Sequence, residues 1–207
     1  MNQAATTNFP VPPAIVPEQT LSAPEWGMAS FLLSEVAFFS TLIVTYVAFM
    51  GSDVVGPTPA EALTLPIVII STLCLLSSSV VIHAAERALD RGEPRIFCLF
   101  LAATIALGIA FLTLTGFEWH DLIVNKHLTI GRNLFGTTYY TLVGFHALHV
   151  TVGVIVMLIV LGLALGRELT AADRTGVTLV GWYWHFVDAV WVVVFLVVYV
   201  ASRSSGA

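Results

Sequence analysis

Five ionisable side chains sit where the sequence is otherwise apolar. Glu35 lies in "FLLSEVAFFSTLIVTY", His146 and His149 in "LVGFHALHVTVG", and His185 with Asp188 in "WYWHFVDAVW". Such groups are costly inside a bilayer, so they face the bundle interior or a watery cavity and are candidates for function. Glu35 admits two chemistries. It is a carboxyl that takes part in proton movement or senses a neighbouring subunit, or it is a protonated acid hydrogen-bonding across helices. His146 and His149 are three residues apart and share a helix face with Leu142 and Gly153. Two imidazoles on one face could ligate a metal or a haem. They could equally hydrogen-bond to a neighbouring helix that Gly144 and Gly153 allow to approach. Ligand sets need more members, and no cysteine or carboxylate cluster stands beside the pair on its own helix.

His185 and Asp188 repeat the spacing of three. An aspartate beside an imidazole fixes its tautomer and can stabilise its protonated form. No nucleophile or oxyanion-hole motif accompanies the pair, so mutual satisfaction of two buried polar groups is favoured over catalysis. Glu118, His120 and Asp121 follow the third apolar run and read as solvated loop residues, with Glu118 the exception to expect. Cys74 and Cys98 both sit in apolar runs without metal-motif spacing and read as small buried hydrophobes.

The elements that must position these groups are membrane spans. Of the 207 residues, 57% are hydrophobic and 10% charged, against about 25% charged in a soluble domain. Five apolar runs, at about 28–50, 63–85, 96–117, 139–165 and 177–201, are each long enough to cross about 30 Å of hydrocarbon. The fold class is therefore all-α, a polytopic bundle of five transmembrane helices over 26–202. Residues 1–25 hold five prolines and no lysine or arginine, and the first 24 lack the apolar core of a secretory signal. They predict an extended or irregular tail. Arg87, Arg91, Arg95, Arg167 and Arg174 fall on one side of the spans and Lys126, Arg132 and Arg203 on the other. That asymmetry puts the N-terminus in the cytoplasm and the C-terminus outside. The net charge of −5 and the lack of a basic patch exclude a nucleic-acid partner. Residue chemistry alone also leaves room for a self-standing redox protein with His146, His149 and His185 as ligands. A small transporter built on Glu35 would lack the internal repeat expected of that class.

Taken together, "WGMASFLLSEVAFFSTLIVTYVAF", "GFHALHV" and "WYWHFVDAVW" closely resemble subunit III of haem–copper cytochrome c oxidases, over about Trp26 to Tyr199. Five helices suit the short bacterial form, since the longer form has two more before this start. The resemblance implies a non-catalytic chain in a bacterial cytoplasmic membrane that binds no haem or copper, those being held by partner subunits. It implies contact chiefly with subunit I, and with subunit II and others, in a complex that oxidises cytochrome c, reduces O2 and pumps protons. Membership of a respiratory supercomplex is left open. The family's carbodiimide-reactive membrane glutamate falls on Glu35, and His146, His149, His185 and Asp188 become buried polar packing with no metal ligand among them. His185 and Asp188 are expected near His146 or His149. Bound phospholipid is implied too, with Arg87, Arg91, Arg95 and Arg167 as headgroup contacts. One wall of the longer form's lipid cleft is absent here or supplied by another subunit. Quinol oxidases share the five-helix plan but tend toward F-W-H-F-L-D where this chain has Tyr183 to Asp188, which favours cytochrome c as donor. A nitric-oxide-reductase accessory protein is a more distant alternative.

Overall fold

The computed structural model describes residues 21–52, 63, 65–166 and 173–201. Five helices long and apolar enough to cross a membrane account for most of them, and no strand occurs among the described residues. They are α1 (Ala23–Ala48), α2 (Leu65–Asp90), α3 (Pro94–Val124), α4 (Leu134–Leu165) and α5 (Arg174–Phe195), which runs on into a π-helical turn, Leu196–Ala201.

The helix ends differ from the apolar runs because caps, rather than hydropathy, set them. Glu25 accepts hydrogen bonds from the Ser22 backbone N–H and hydroxyl, both at 2.6 Å, and Pro24 stands in the first turn. This capping chemistry starts α1 at Ala23, ahead of the apolar run and inside the segment read as tail. Asn133 accepts from Gly136 N–H at 2.8 Å and starts α4 at Leu134. Because α3 also continues to Val124, the expected loop over 118–138 contracts to residues 125–133. Cys74 and Cys98 are free and partly rather than fully buried.

Helix α2 packs most extensively on α3, and a three-residue turn explains why. Glu93 N–H reaches the Ala88 carbonyl and Gly92 N–H the Leu89 carbonyl, both at 3.0 Å, with Gly92 at φ 73°. This is a Schellman stop, which needs the left-handed conformation that glycine adopts freely. Pro94 then opens α3, its missing N–H costing nothing at the first turn. Further contacts join α3 to α4, α4 to α5 and α2 to α5, while α1 leans on α4 and α5.

The bundle closes around Trp184, which is fully buried. Its ring fills a notch left by Gly108 on α3 and Gly153 on α4, where an added Cβ would stand 3.0 Å and 2.7 Å from the indole. Its Nε1–H donates to Ser78 Oγ on α2 at 2.8 Å. Two turns along, Trp191 Nε1–H donates to Thr72 Oγ1 at 3.0 Å. Helices in a bilayer gain little from hydrophobicity against each other. Small residues that admit close packing, and hydroxyls that answer buried N–H groups, hold them instead.

Candidate functional site

Three polar clusters lie within the apolar bundle, and each joins helices distant in sequence. The first pairs α1 with α4. His149 Nε2 stands 3.1 Å from Glu35 Oε2, and His149 Nδ1 stands 2.7 Å from the Phe145 carbonyl. A carbonyl only accepts, so Nδ1 carries a hydrogen. A neutral His149 then has only an acceptor at Nε2, and Glu35 must be the acid that donates to it. If Glu35 is ionised, His149 must be imidazolium. Either way the two residues share one proton between them. Phe38 and Phe39 flank the imidazole, with ring centroids 6.3 and 4.9 Å away. Tyr183 on α5 donates its hydroxyl to the His149 carbonyl at 2.9 Å. Both side chains of the pair remain partly exposed, 18% for Glu35 and 15% for His149, so the shared proton is within reach of the helix surface.

The second cluster joins α2 with α5. Ser79 Oγ stands 2.9 Å from His185 Nδ1 and donates to Asp188 Oδ2. A serine has one hydroxyl hydrogen, so with that hydrogen on Asp188 it accepts from His185 Nδ1–H. The imidazole is thereby held as the tautomer whose Nε2 lone pair is free. Beyond it, His83 Nδ1 lies 3.3 Å from Glu86 Oε2. Glu86 rests against α5 at Gly181, where any Cβ would collide with its Oε1.

The third cluster sits at the opposite end, between α3, α4 and the π-helical turn. Tyr199 donates to Glu118 Oε2 at 3.0 Å, and Tyr139 stands 3.1 Å from the Tyr199 hydroxyl. Tyr199 has spent its hydrogen on the carboxylate, so Tyr139 donates to it, giving a chain Tyr139 to Tyr199 to Glu118. Glu118 is buried on α3 rather than solvated in a loop, as the exception among the three residues read that way. His120 is exposed on the last turns of α3. Asp121 meets Lys126 at 3.4 Å and Asn125 at 2.7 Å.

The expected neighbours of the histidines differ from the observed ones. Residues three apart on a helix diverge by about 60°, so His146 and His149 meet different surroundings. His149 turns to α1. His146 is fully buried, stacked on Trp191 at 4.8 Å and 29° and edge-on to Phe111 at 5.8 Å. Neither of its ring nitrogens meets a hydrogen-bond partner among the described residues. His185 and Asp188 find Ser79 rather than a histidine of α4 as their hydrogen-bond partner. Sequence reasoning passed over Ser79, His83, Glu86 and Gly181. The signal was there in the spacing: Ser79, His83 and Glu86 recur at four and three, the stripe of one helix face. Arg87, Arg91 and Arg95 are exposed at the α2–α3 end, and Arg167 lies outside the described residues.

A sequence profile described as cytochrome c oxidase subunit III matches residues 19–203. A cytochrome c oxidase subunit 3 of Alkalihalophilus pseudofirmus is 34% identical over 175 residues, covering 84% of each chain. A cytochrome bo(3) ubiquinol oxidase subunit 3 of Pseudomonas aeruginosa is 32% identical over 174 residues, covering 84% of this chain and 83% of its own. A cytochrome c oxidase subunit 3 of the lancelet Branchiostoma lanceolatum is 32% identical over 188 residues, covering 86% of this chain and 70% of its own.

Proposed function

The chain belongs to the cytochrome c oxidase subunit III family, and from that premise we propose that it is a non-catalytic integral subunit of an aerobic respiratory cytochrome c oxidase. The complex oxidises reduced cytochrome c, reduces O2 to water and pumps protons across a bacterial cytoplasmic membrane. In this reading haem and copper belong to partner subunits. This chain packs on subunit I, stabilises it during turnover and supports proton uptake, with the N-terminus and the α2–α3 turn on the cytoplasmic side. Phospholipid headgroups meet Arg87, Arg91 and Arg95, which are exposed together at that end.

The observation that carries the reading is the Glu35–His149 pair. One proton held between a carboxyl and an imidazole, on the most open helix of the bundle, suits proton handling beside a partner. The deployment of the histidines supports the same reading. His146 is wedged among Phe39, Phe111 and Trp191, and both nitrogens of His149 are engaged within the protein.

Removing the chain from the purified oxidase tests the role directly. The haem spectrum should survive while activity decays faster over successive turnovers, and an unchanged lifetime would overturn the stabilising role. A hydrophobic carbodiimide should label Glu35 from the lipid side. Equal labelling of a Glu35→Gln variant would show that the reactive carboxyl lies elsewhere. The electron donor has a second reading, because the ubiquinol oxidase relative matches almost as well as the cytochrome c oxidase ones. Oxygen consumption by the purified complex with reduced cytochrome c, against the same assay with a quinol, decides between them.

A further inference from the structure

His83, Glu86 and His185 are the one group of three His, Cys, Asp or Glu side chains among the described residues whose ligand atoms converge, all lying within 4.8 Å of one another. We propose that these three residues, on α2 and α5, bind a divalent transition-metal ion of the zinc class. Two imidazoles and a carboxylate also ligate iron(II) and copper(II), and zinc stands here for that class of divalent ion.

The donor set argues for the metal. Two nitrogens and one oxygen match the His2Glu ligation that zinc accepts, whereas calcium and magnesium require oxygen almost exclusively. Tetrahedral bonds of about 2.1 Å place ligand atoms about 3.4 Å apart. His83 Nδ1 and Glu86 Oε2 already stand at 3.3 Å. His83 is 53% exposed, so its side chain has room to adjust toward the other two ligands. The fourth position stays open to water or to a donor from a neighbouring chain.

Two further features are built around the three ligands. Ser79 holds the Nδ1 side of His185 and is itself held by Asp188. A hydrogen-bonded far nitrogen backed by a carboxylate is the usual way a metal-ligating histidine is oriented and made more basic. Here a serine carries that link. Gly181, one turn before His185, leaves room for the Glu86 carboxylate directly against α5. An alanine there would make the Glu86 carboxylate shift away from α5.

The test is zinc uptake by the full-length chain, purified in mild detergent with whatever subunits accompany it and dialysed to equilibrium against micromolar ZnCl2. Comparing variants in the same preparation cancels metal bound elsewhere. Wild type should retain one zinc per chain more than either His83→Gln or His185→Gln. Ser79→Ala should keep the zinc with affinity reduced at least tenfold. Because His83 is exposed, its replacement leaves the fold intact, so lost zinc in that variant reports ligation. If wild type takes up no zinc beyond His83→Gln, or either histidine variant retains the wild-type amount, the proposal is overturned.

Discussion

Helices α1 and α5 both carry ionisable residues at membrane depth, yet they are built in opposite ways. Of α1, only Phe39 and Tyr46 are buried, while Trp26, Leu33 and Val44 are 59%, 71% and 66% exposed. Helix α5 buries eight residues, among them Tyr183, Trp184, Asp188 and Trp191. Its polar groups answer one another inside the bundle: Trp184 to Ser78, Trp191 to Thr72, and His185 and Asp188 to Ser79. A polar bond that ties α1 to the bundle is the Glu35–His149 contact, whose two side chains remain partly exposed. Burial at depth thus has two uses here. In α5 polar side chains specify how helices pack. In α1 a single carboxyl stays within reach of whatever covers that helix.

Mutations can break this contrast. Trp184→Ala removes a ring that fills the notch between α3 and α4, and with it the hydrogen bond that Ser78 accepts from the indole. The bundle should lose about 3 kcal/mol, read as a lower denaturation midpoint of the purified chain in detergent. Gly153→Val places a branched side chain where even a Cβ meets the indole at 2.7 Å. Overpacking of that kind should cost about 1–3 kcal/mol in the same assay. Leu33→Ala should change the midpoint of the isolated chain by no more than about 0.5 kcal/mol, since no neighbouring helix covers that side chain. A Leu33→Ala loss as large as that of Trp184→Ala would erase the distinction. A normal midpoint combined with weakened retention of partner subunits would sharpen it, by locating the use of the bare face.

The number of spans and their approximate positions were legible in the sequence, because an uncharged run of twenty residues has few alternatives to a transmembrane helix. The ends were less so. Ser22 with Glu25, and Asn133, set them through hydrogen bonds that hydropathy does not weigh. Glu118 shows the same limit: it follows the apolar run, but α3 does not stop there, so it turns inward to Tyr199. The residues with functional character, Glu35, His149, His185 and Asp188, were visible as polar groups in apolar surroundings. Their partners were not. Ser79 and Thr72 look like ordinary small residues of α2, and only the antiparallel register of α2 against α5 brings them to His185, Asp188 and Trp191. Trp184 and Trp191 lie seven apart, and Ser78 and Thr72 six apart in the opposite sense. That matched spacing records the register once the two helices are known to be neighbours.

The turn of Arg91, Gly92 and Glu93 bears on how the protein reaches the membrane at all. Three residues stretch about 10 Å at most, so the first turn of α3 can never stray far from the last of α2. When one of these helices leaves water for lipid, the other is already at the threshold. A pair entering as one hairpin would sum its favourable transfer over both arms and leave at the surface a bend in which Arg87, Arg91 and Arg95 are balanced by Glu86, Asp90 and Glu93.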